Sequence, residues 1–238
     1  MMTRPPTRPH EGENRIKQRC LRRIPAGIAA ACLLAGAALV VAERLGAADK
    51  LLAYVGDRYG APARDRVQEW RQLIGQDQGK PELEKLRLVN HFFNQSVFVS
   101  DLEHWGKEDY WATPVEMLST NGGDCEDFTI AKYFTLKEMG VPEQRMQITY
   151  VKALRLNQAH MVLTYFPTPG ADPLVLDNLI DEIKPASQRN DLLPVYSFNG
   201  EGLWLAKKRG RGERVGGSGR ISLWRDLNER MNNEATSD

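Results

Sequence analysis

At 238 residues, with 32 Lys and Arg against 31 Asp and Glu, the chain carries a formal charge of +1 and enough apolar sequence for one good core, short of two full domains. Seven of the basic residues fall within positions 1–42, where the acids are Glu11 and Glu13, so the remainder holds 25 basic and 29 acidic residues. A body that is slightly acidic argues against nucleic acid as the main partner.

The amino-terminal stretch reads as an export signal. A basic segment ending Arg19-Cys20-Leu21-Arg22-Arg23 precedes nineteen uncharged, mostly apolar residues, Ile24 to Ala42, with a small-residue cleavage pattern at Val40-Val41-Ala42. An uncleaved membrane anchor is the alternative, because nineteen residues is close to the spanning length of about 20. Either reading sends the rest of the chain across the membrane, to the periplasm.

From Ala47 to Ile74 the pattern is helical, interrupted at Gly60-Ala61-Pro62, and Pro81 opens a second helix through Leu83, Leu86, Val89, Phe92 and Phe93. His91 on that helix is expected to be structural. Val97-Phe98-Val99 reads as extended, and residues 100–113 as a polar loop rich in aromatics. Trp105 and Trp111 in that loop either cap the core or wall a cleft. Thr113-Pro114-Val115-Glu116 has the form of a helix cap.

Asn121-Gly122-Gly123-Asp124-Cys125 follows, a turn in which adjacent glycines permit angles closed to other residues and Asp124 can cap a helix running from about Cys125 to Met139. Phe128, Ala131, Phe134 and Met139 are expected inward, with Lys132, Lys137 and Glu138 facing water. Three strand-like runs come next, 147–153, 159–166 and 173–177, then 193–198 and 202–205 around Asn199-Gly200, a pairing suited to a type I′ hairpin. Helices followed by an antiparallel sheet make an α+β domain over residues 47–206. Residues 207–238, opening with KKRGRGERVGGSGR, are expected to form a flexible basic tail in which Ile221 to Trp224 docks at most as a short element.

The chemistry centres on Cys125. Loss of the leader removes Cys20 and Cys32 and leaves one thiol in an oxidising compartment, where an unpaired cysteine is usually put to use. A thiol in the first turn of a helix is favoured as thiolate by the unpaired N–H groups, while Asp124, Glu126 and Asp127 oppose a further negative charge. A cation or a histidine is needed nearby. His160 begins one arm of the expected hairpin and Asp177 ends the other, with the pair centred between residues 168 and 169, so an imidazole and a carboxylate can meet across neighbouring strands. Cysteine, then histidine, then aspartate is the order of a nucleophile, a base and the acid that orients it.

The runs GDCEDFTIAKYFTLKEMGVP, TYVKALRLNQAHMVLTYFP, LVLDNLIDEI and PVYSFNGEGLWL resemble the bacterial transglutaminase-like cysteine proteinases, LapG type, over roughly Asp101 to Leu205. The resemblance implies a papain-like or transglutaminase-like fold, a triad of Cys125, His160 and Asp177, and calcium held by Asp124 and Glu126; Asp109 and carbonyls of the Trp105 to Trp111 loop are candidates for further ligands. It also implies a periplasmic calcium-dependent endopeptidase that cuts a large biofilm adhesin near its N-terminus, and an inner-membrane cyclic-di-GMP receptor whose periplasmic domain sequesters the enzyme. An amide-forming transferase and a calcium-responsive binding module are the alternatives at this stage.

Overall fold

A computed structural model describes Gly46, residues 49–205 and residues 212–236, which belong to the compact unit Gly46–Asp238. The expected leader, residues 1–42, lies outside the described residues. Among those described, no helix is long and apolar enough to cross a membrane.

Gly60 divides the first two helices, α1 (49–59) and α2 (Ala61–Asp77), and adopts φ +88°, a backbone that strains any residue with a Cβ. Pro62 falls in the first turn of α2, where its missing N–H removes no helical bond. Helix α3 (Glu82–Phe93) starts after Pro81 and buries Leu86, Val89 and Phe93. Strand β1 (Val97–Phe98) and a short helix, α4 (Asp101–Trp105), follow, the latter in a segment expected to be all loop. Helix α5 (Pro114–Thr120) opens on a capping box: Thr113 Oγ1 accepts from Glu116 N–H at 3.1 Å, and Glu116 Oε2 accepts from Thr113 N–H at 2.8 Å. Strand β2 (Gly122–Gly123) pairs in parallel with β1 and leads into helix α6 (Cys125–Glu138).

The second half of the chain builds the sheet. Strands β3 (Met146–Ala153), β4 (Gln158–Tyr165), β5 (Leu174–Leu176), β6 (Lys184–Pro185), β7 (Leu192–Asn199), β8 (Gly202–Leu205) and β9 (Glu213–Gly216) lie in the order β6-β5-β4-β3-β7-β8-β9. Every neighbour is antiparallel. Alternation along the strands puts Met146, Ile148, Met161, Leu163, Tyr165, Leu176 and Phe198 into the main core and Val151, Val162 and Val175 into a smaller cluster of their own.

Helix α6 fills the space between that sheet and the other helices: Phe128, Ile130, Ala131, Tyr133 and Leu136 are buried, Lys137 and Glu138 in its last turn face water as expected, and Lys132, also expected to face water, is buried. Solvent reaches the helix at its last turn, and the middle turns carrying Lys132 are enclosed by the sheet and the other helices, so no solvated stripe runs its length. Its neighbours bond to it: Trp70 Nε1 donates to Thr135 Oγ1 at 2.8 Å, and Lys85 Nζ donates to the Met139 carbonyl at 2.8 Å, satisfying an acceptor left over at the helix end.

Two further sequence expectations are corrected. The hairpin after β7 is not a type I′ turn, because neither Asn199 nor Gly200 takes a positive φ; Asn199 instead pairs with Gly202, and its Oδ1 accepts from Glu201 N–H and Gly202 N–H at 2.9 and 3.2 Å. The carboxyl-terminal segment is not a flexible tail over 212–236. Strand β9 extends the sheet, and helix α7 (Ser222–Thr236) buries Trp224 and Leu227 in the core, with Met231 packed against it. Trp224, Leu227 and Met231 stand three and four residues apart, an apolar helical stripe that the glycine-rich run before it obscured.

Candidate active site

The chain leaves α5 through Asn121, whose φ of 59° is left-handed, and the two glycines then lie extended in β2. The sequence assigned the turn to the glycines; what they supply is close approach. A Cβ on Gly123 would stand 2.4 Å from Asp127 Oδ2, and one on Gly122 would stand 3.1 Å from the Val97 carbonyl oxygen. Asp127, fully buried, uses that space to join two segments: its Oδ1 accepts from Ala112 N–H at 2.7 Å and its Oδ2 from Asp124 N–H at 3.2 Å.

Asp124 occupies the N-cap position and Cys125 the first position of α6. The Cys125 thiol donates to Glu126 Oε2 at 2.9 Å. Burial pushes the thiol well up, the charges of Glu126 and Asp124 push it further, and a backbone hydrogen bond from Met161 opposes them. Thr129 Oγ1 lies 2.8 Å from the Cys125 carbonyl and 3.0 Å from that of Met161, so the first turn of α6 is fastened to β4 one residue beyond His160.

His160 and Asp177 do meet, with Nε2 2.8 Å from Oδ1 and both side chains buried. The register differs from the expected one: Leu163 pairs with Leu176, so Asp177 stands just past the end of β5 and reaches His160 diagonally. Burial alone would raise the Asp177 carboxyl, yet His160, the Leu179 N–H at 3.0 Å and Arg189 Nη2 at 2.7 Å bring it down to about 2. An ionised carboxylate only accepts, so Nε2 carries the imidazole proton and Nδ1 is left as the basic nitrogen. The thiol and imidazole sit on adjoining elements without a hydrogen bond between them, the thiol's own bond being to Glu126.

Behind Asp177 lie residues that sequence reasoning missed. Arg189, 4% exposed, also grips Asp191 through Nε and Nη2, at 3.0 and 2.8 Å. Asn94 Nδ2 donates to the Asp177 carbonyl at 2.9 Å and to Asp181 Oδ1 at 3.0 Å, while Lys132 Nζ donates to Asn94 Oδ1 at 2.6 Å. Burial lowers Lys132 to about 7 against the pull of Asp177 and Asp181. His91, expected to be structural, lies exposed at the same loop, 3.4 Å from Asp181. Of the two tryptophans, Trp111 is core, stacked on Phe198 at 5.6 Å, while Trp105 stacks on His104 at 4.4 Å.

Five acids gather before and within the first turn of α6. Ligand atoms of Asp101, Asp124 and Asp127 lie within 4.8 Å of one another, as do those of Asp101, Asp109 and Glu126. Asp101 was not singled out in the sequence, where it is one acid in a polar loop. Burial, with the charges of Glu126 and Asp109, lifts it to about 6 despite the bond from Tyr110 N–H; burial and neighbouring acids lift Asp109, Asp124 and Asp127 as well. Asp101 Oδ1 and Asp124 Oδ1 are buried with no partner. Crowded, partly orphaned carboxylate oxygens fit a hard divalent cation such as calcium, which takes six to eight oxygen ligands.

A family model described as bacterial transglutaminase-like cysteine proteinase matches residues 65–205. The chain belongs to that family. Solved structures of LapG from Legionella pneumophila are 46% identical to it: an EGTA-treated form spans 77% of this chain and 96% of that one with a TM-score of 0.68, and a calcium-bound form spans 77% and 98% with a TM-score of 0.67. No curated protein matches. The proteinase therefore has the α+β, transglutaminase-like fold, and the first turn of α6 falls inside the matched span.

Proposed function

We propose that this cysteine proteinase is a calcium-dependent endopeptidase using Cys125, His160 and Asp177 as nucleophile, base and orienting acid. The observation that carries the reading is the buried pair of His160 on β4 with Asp177 just past β5, β4 being fastened by Thr129 to the helix start that presents the thiol. His160 Nδ1 takes the thiol proton, the thiolate attacks a peptide carbonyl, and the proton passes to the departing amine. Backbone N–H groups at the start of α6, that of Cys125 above all, are placed to receive the oxyanion. Water, deprotonated by His160, then releases the acyl group.

Asp124 and Glu126, with Asp101 and Asp109, would hold calcium, whose charge lets these acids ionise beside a thiolate. The calcium-bound and EGTA-treated forms of LapG, at 46% identity, support this assignment. From the resemblance of the sequence to LapG-type proteinases we further infer export to the periplasm, a large biofilm adhesin as substrate, and control by an inner-membrane cyclic-di-GMP receptor.

The test is cleavage of a candidate adhesin's N-terminal fragment by the full-length chain and by Cys125→Ala, in calcium and in EGTA, with products weighed by mass spectrometry. Two fragments that need both Cys125 and calcium are expected. Joined products would replace hydrolysis with amide transfer, and cleavage indifferent to EGTA would discard the metal. A fragment bound but uncut by the wild type would leave a binding module.

A further inference from the structure

Lys132 is a buried charged group that the proposed mechanism does not use, and its surroundings give it a task. Its Nζ donates to Asn94 Oδ1 at 2.6 Å, its charge faces Asp177 and Asp181, and the Phe128 ring lies below it at 5.8 Å. The two atoms on the other side of Asn94, the Asp177 carbonyl and Asp181 Oδ1, are acceptors only, at 2.9 and 3.0 Å from Nδ2. Donor on one side and acceptors on the other leave the amide a single satisfied orientation. A flipped Asn94 would set Nδ2 against the buried ammonium and Oδ1 against two oxygens, donor facing donor on one side and acceptor facing acceptors on the other.

We propose that Lys132 is a positioning residue: acting through Asn94, it locks the 177–181 segment so that the Asp177 carboxylate stays in register with the His160 imidazole. Three further observations support it. Asn90 Nδ2 donates to the Asp181 carbonyl at 2.9 Å, so the last two turns of α3 hold the segment at both ends. Asp177 lies beyond the last ladder pair of β5, and strand pairing does not fix it. Arg189 holds the other carboxylate oxygen, so Lys132 and Arg189 constrain Asp177 from its main chain and its side chain respectively.

The inference rests on the triad reading, and its test separates the two. In the full-length chain the rate of Cys125 alkylation by iodoacetamide is followed by peptide mass spectrometry, and the His160 Nε2–H proton resonance, assigned by its loss in His160→Gln, is followed by NMR. Lys132→Met and Asn94→Asp are compared with the wild type. Asn94→Asp discriminates: an aspartate still pairs with Lys132, so a lysine that merely needs a partner is satisfied, but it has no N–H to offer the 177–181 segment. Each variant is expected to slow alkylation ~10- to 100-fold, the scale of losing a fixed geometry, and to broaden or shift the resonance, with the double variant little worse than either. Wild-type rate and resonance in Asn94→Asp would overturn the positioning role, and that variant decides the matter even if Lys132→Met does not fold. A wild type alkylated no faster than His160→Gln would remove the triad reading itself.

Discussion

At the scale of single residues, Asp177 and Arg189 form a buried ion pair, with side chains 0% and 3% exposed. Because the folded carboxyl sits at about 2, below its ordinary 3.8, its contribution to stability is complete above pH ~4 and is lost as the pH falls towards 2. Arg189→Met removes one partner and strands Asp177 and Asp191. We expect a loss of about 3–5 kcal/mol at pH 7, the usual result of breaking a buried pair. Acid unfolding, followed by circular dichroism, should begin at a higher pH than in the wild type. Gly123→Ala is the second sensitive position, for a steric reason. Its Cβ would meet Asp127 Oδ2 at 2.4 Å, so the carboxylate must leave Ala112 N–H or Asp124 N–H. A cost of about 1–3 kcal/mol is expected from overpacking, together with a fall in Cys125 alkylation rate that Gly75→Ala, in open space, does not show. The Cys125, His160 and Asp177 positions were legible in the sequence because each carries its own local signal: a helix start, a strand and a strand end. Arg189, Lys132 and Asn94 carry none. Their partners are 12, 38 and 83 residues away, and nothing short of the fold brings them together.

At the scale of elements, the acid cluster depends on a loop held from two sides. Asp101 Oδ2 takes Tyr110 N–H at 2.5 Å and Asp127 takes Ala112 N–H, which binds the loop to α4 and α6. From the other side Arg230 of α7 donates to Tyr110 Oη at 2.9 Å, to the Trp111 carbonyl at 2.5 Å and to Glu116, while Thr113 Oγ1 donates to Glu234 at 2.7 Å. Arg230→Met keeps the aliphatic stem and removes its three donations, to Tyr110, Glu116 and Trp111, leaving Thr113 with Glu234. We expect the variant to need several-fold more calcium for the same thermal stabilisation, read by differential scanning calorimetry across a calcium series, because the loop carrying Asp109 loses one of its two anchors. An unchanged calcium requirement would separate α7 from the acid cluster. The strands were legible because their apolar residues alternate; α6 was only half legible, because its exposed residues, Lys137 and Glu138, lie in the last turn and not along a face that also holds Lys132. Its start and end could be read from Asp124 and Gly140, but not the burial of Lys132.

At the scale of the whole molecule, the carboxyl-terminal helix closes the core rather than trailing from it. Trp224 stacks on Phe134 at 5.5 Å and meets Phe198 and Tyr133 edge-on at 5.3 and 5.8 Å, and Leu227 is fully buried beside it. Composition hid this, because the helix is preceded in the sequence by a glycine-rich basic run, 207–220, that carries almost no apolar residues. The physical consequence can be weighed. Trp224→Ala should cost about 3–5 kcal/mol, a large part of the 5–15 kcal/mol that holds a typical domain together. Ending the chain at Leu205, the limit of the matched family span, removes Trp224, Leu227 and Met231 together and strips the cover from Phe134 and Phe198. The exposed aromatic face would then have no partner but another copy of itself. A chain ending at Leu205 is therefore expected to aggregate or to melt far below the full-length protein, whereas Trp224→Phe, which keeps a ring on Phe134, should lose much less than Trp224→Ala. Chemical denaturation of the two point variants, beside the solubility of the shortened chain, decides it: a shortened chain that unfolds with the full-length midpoint would mean that α7 rests on the core without supporting it.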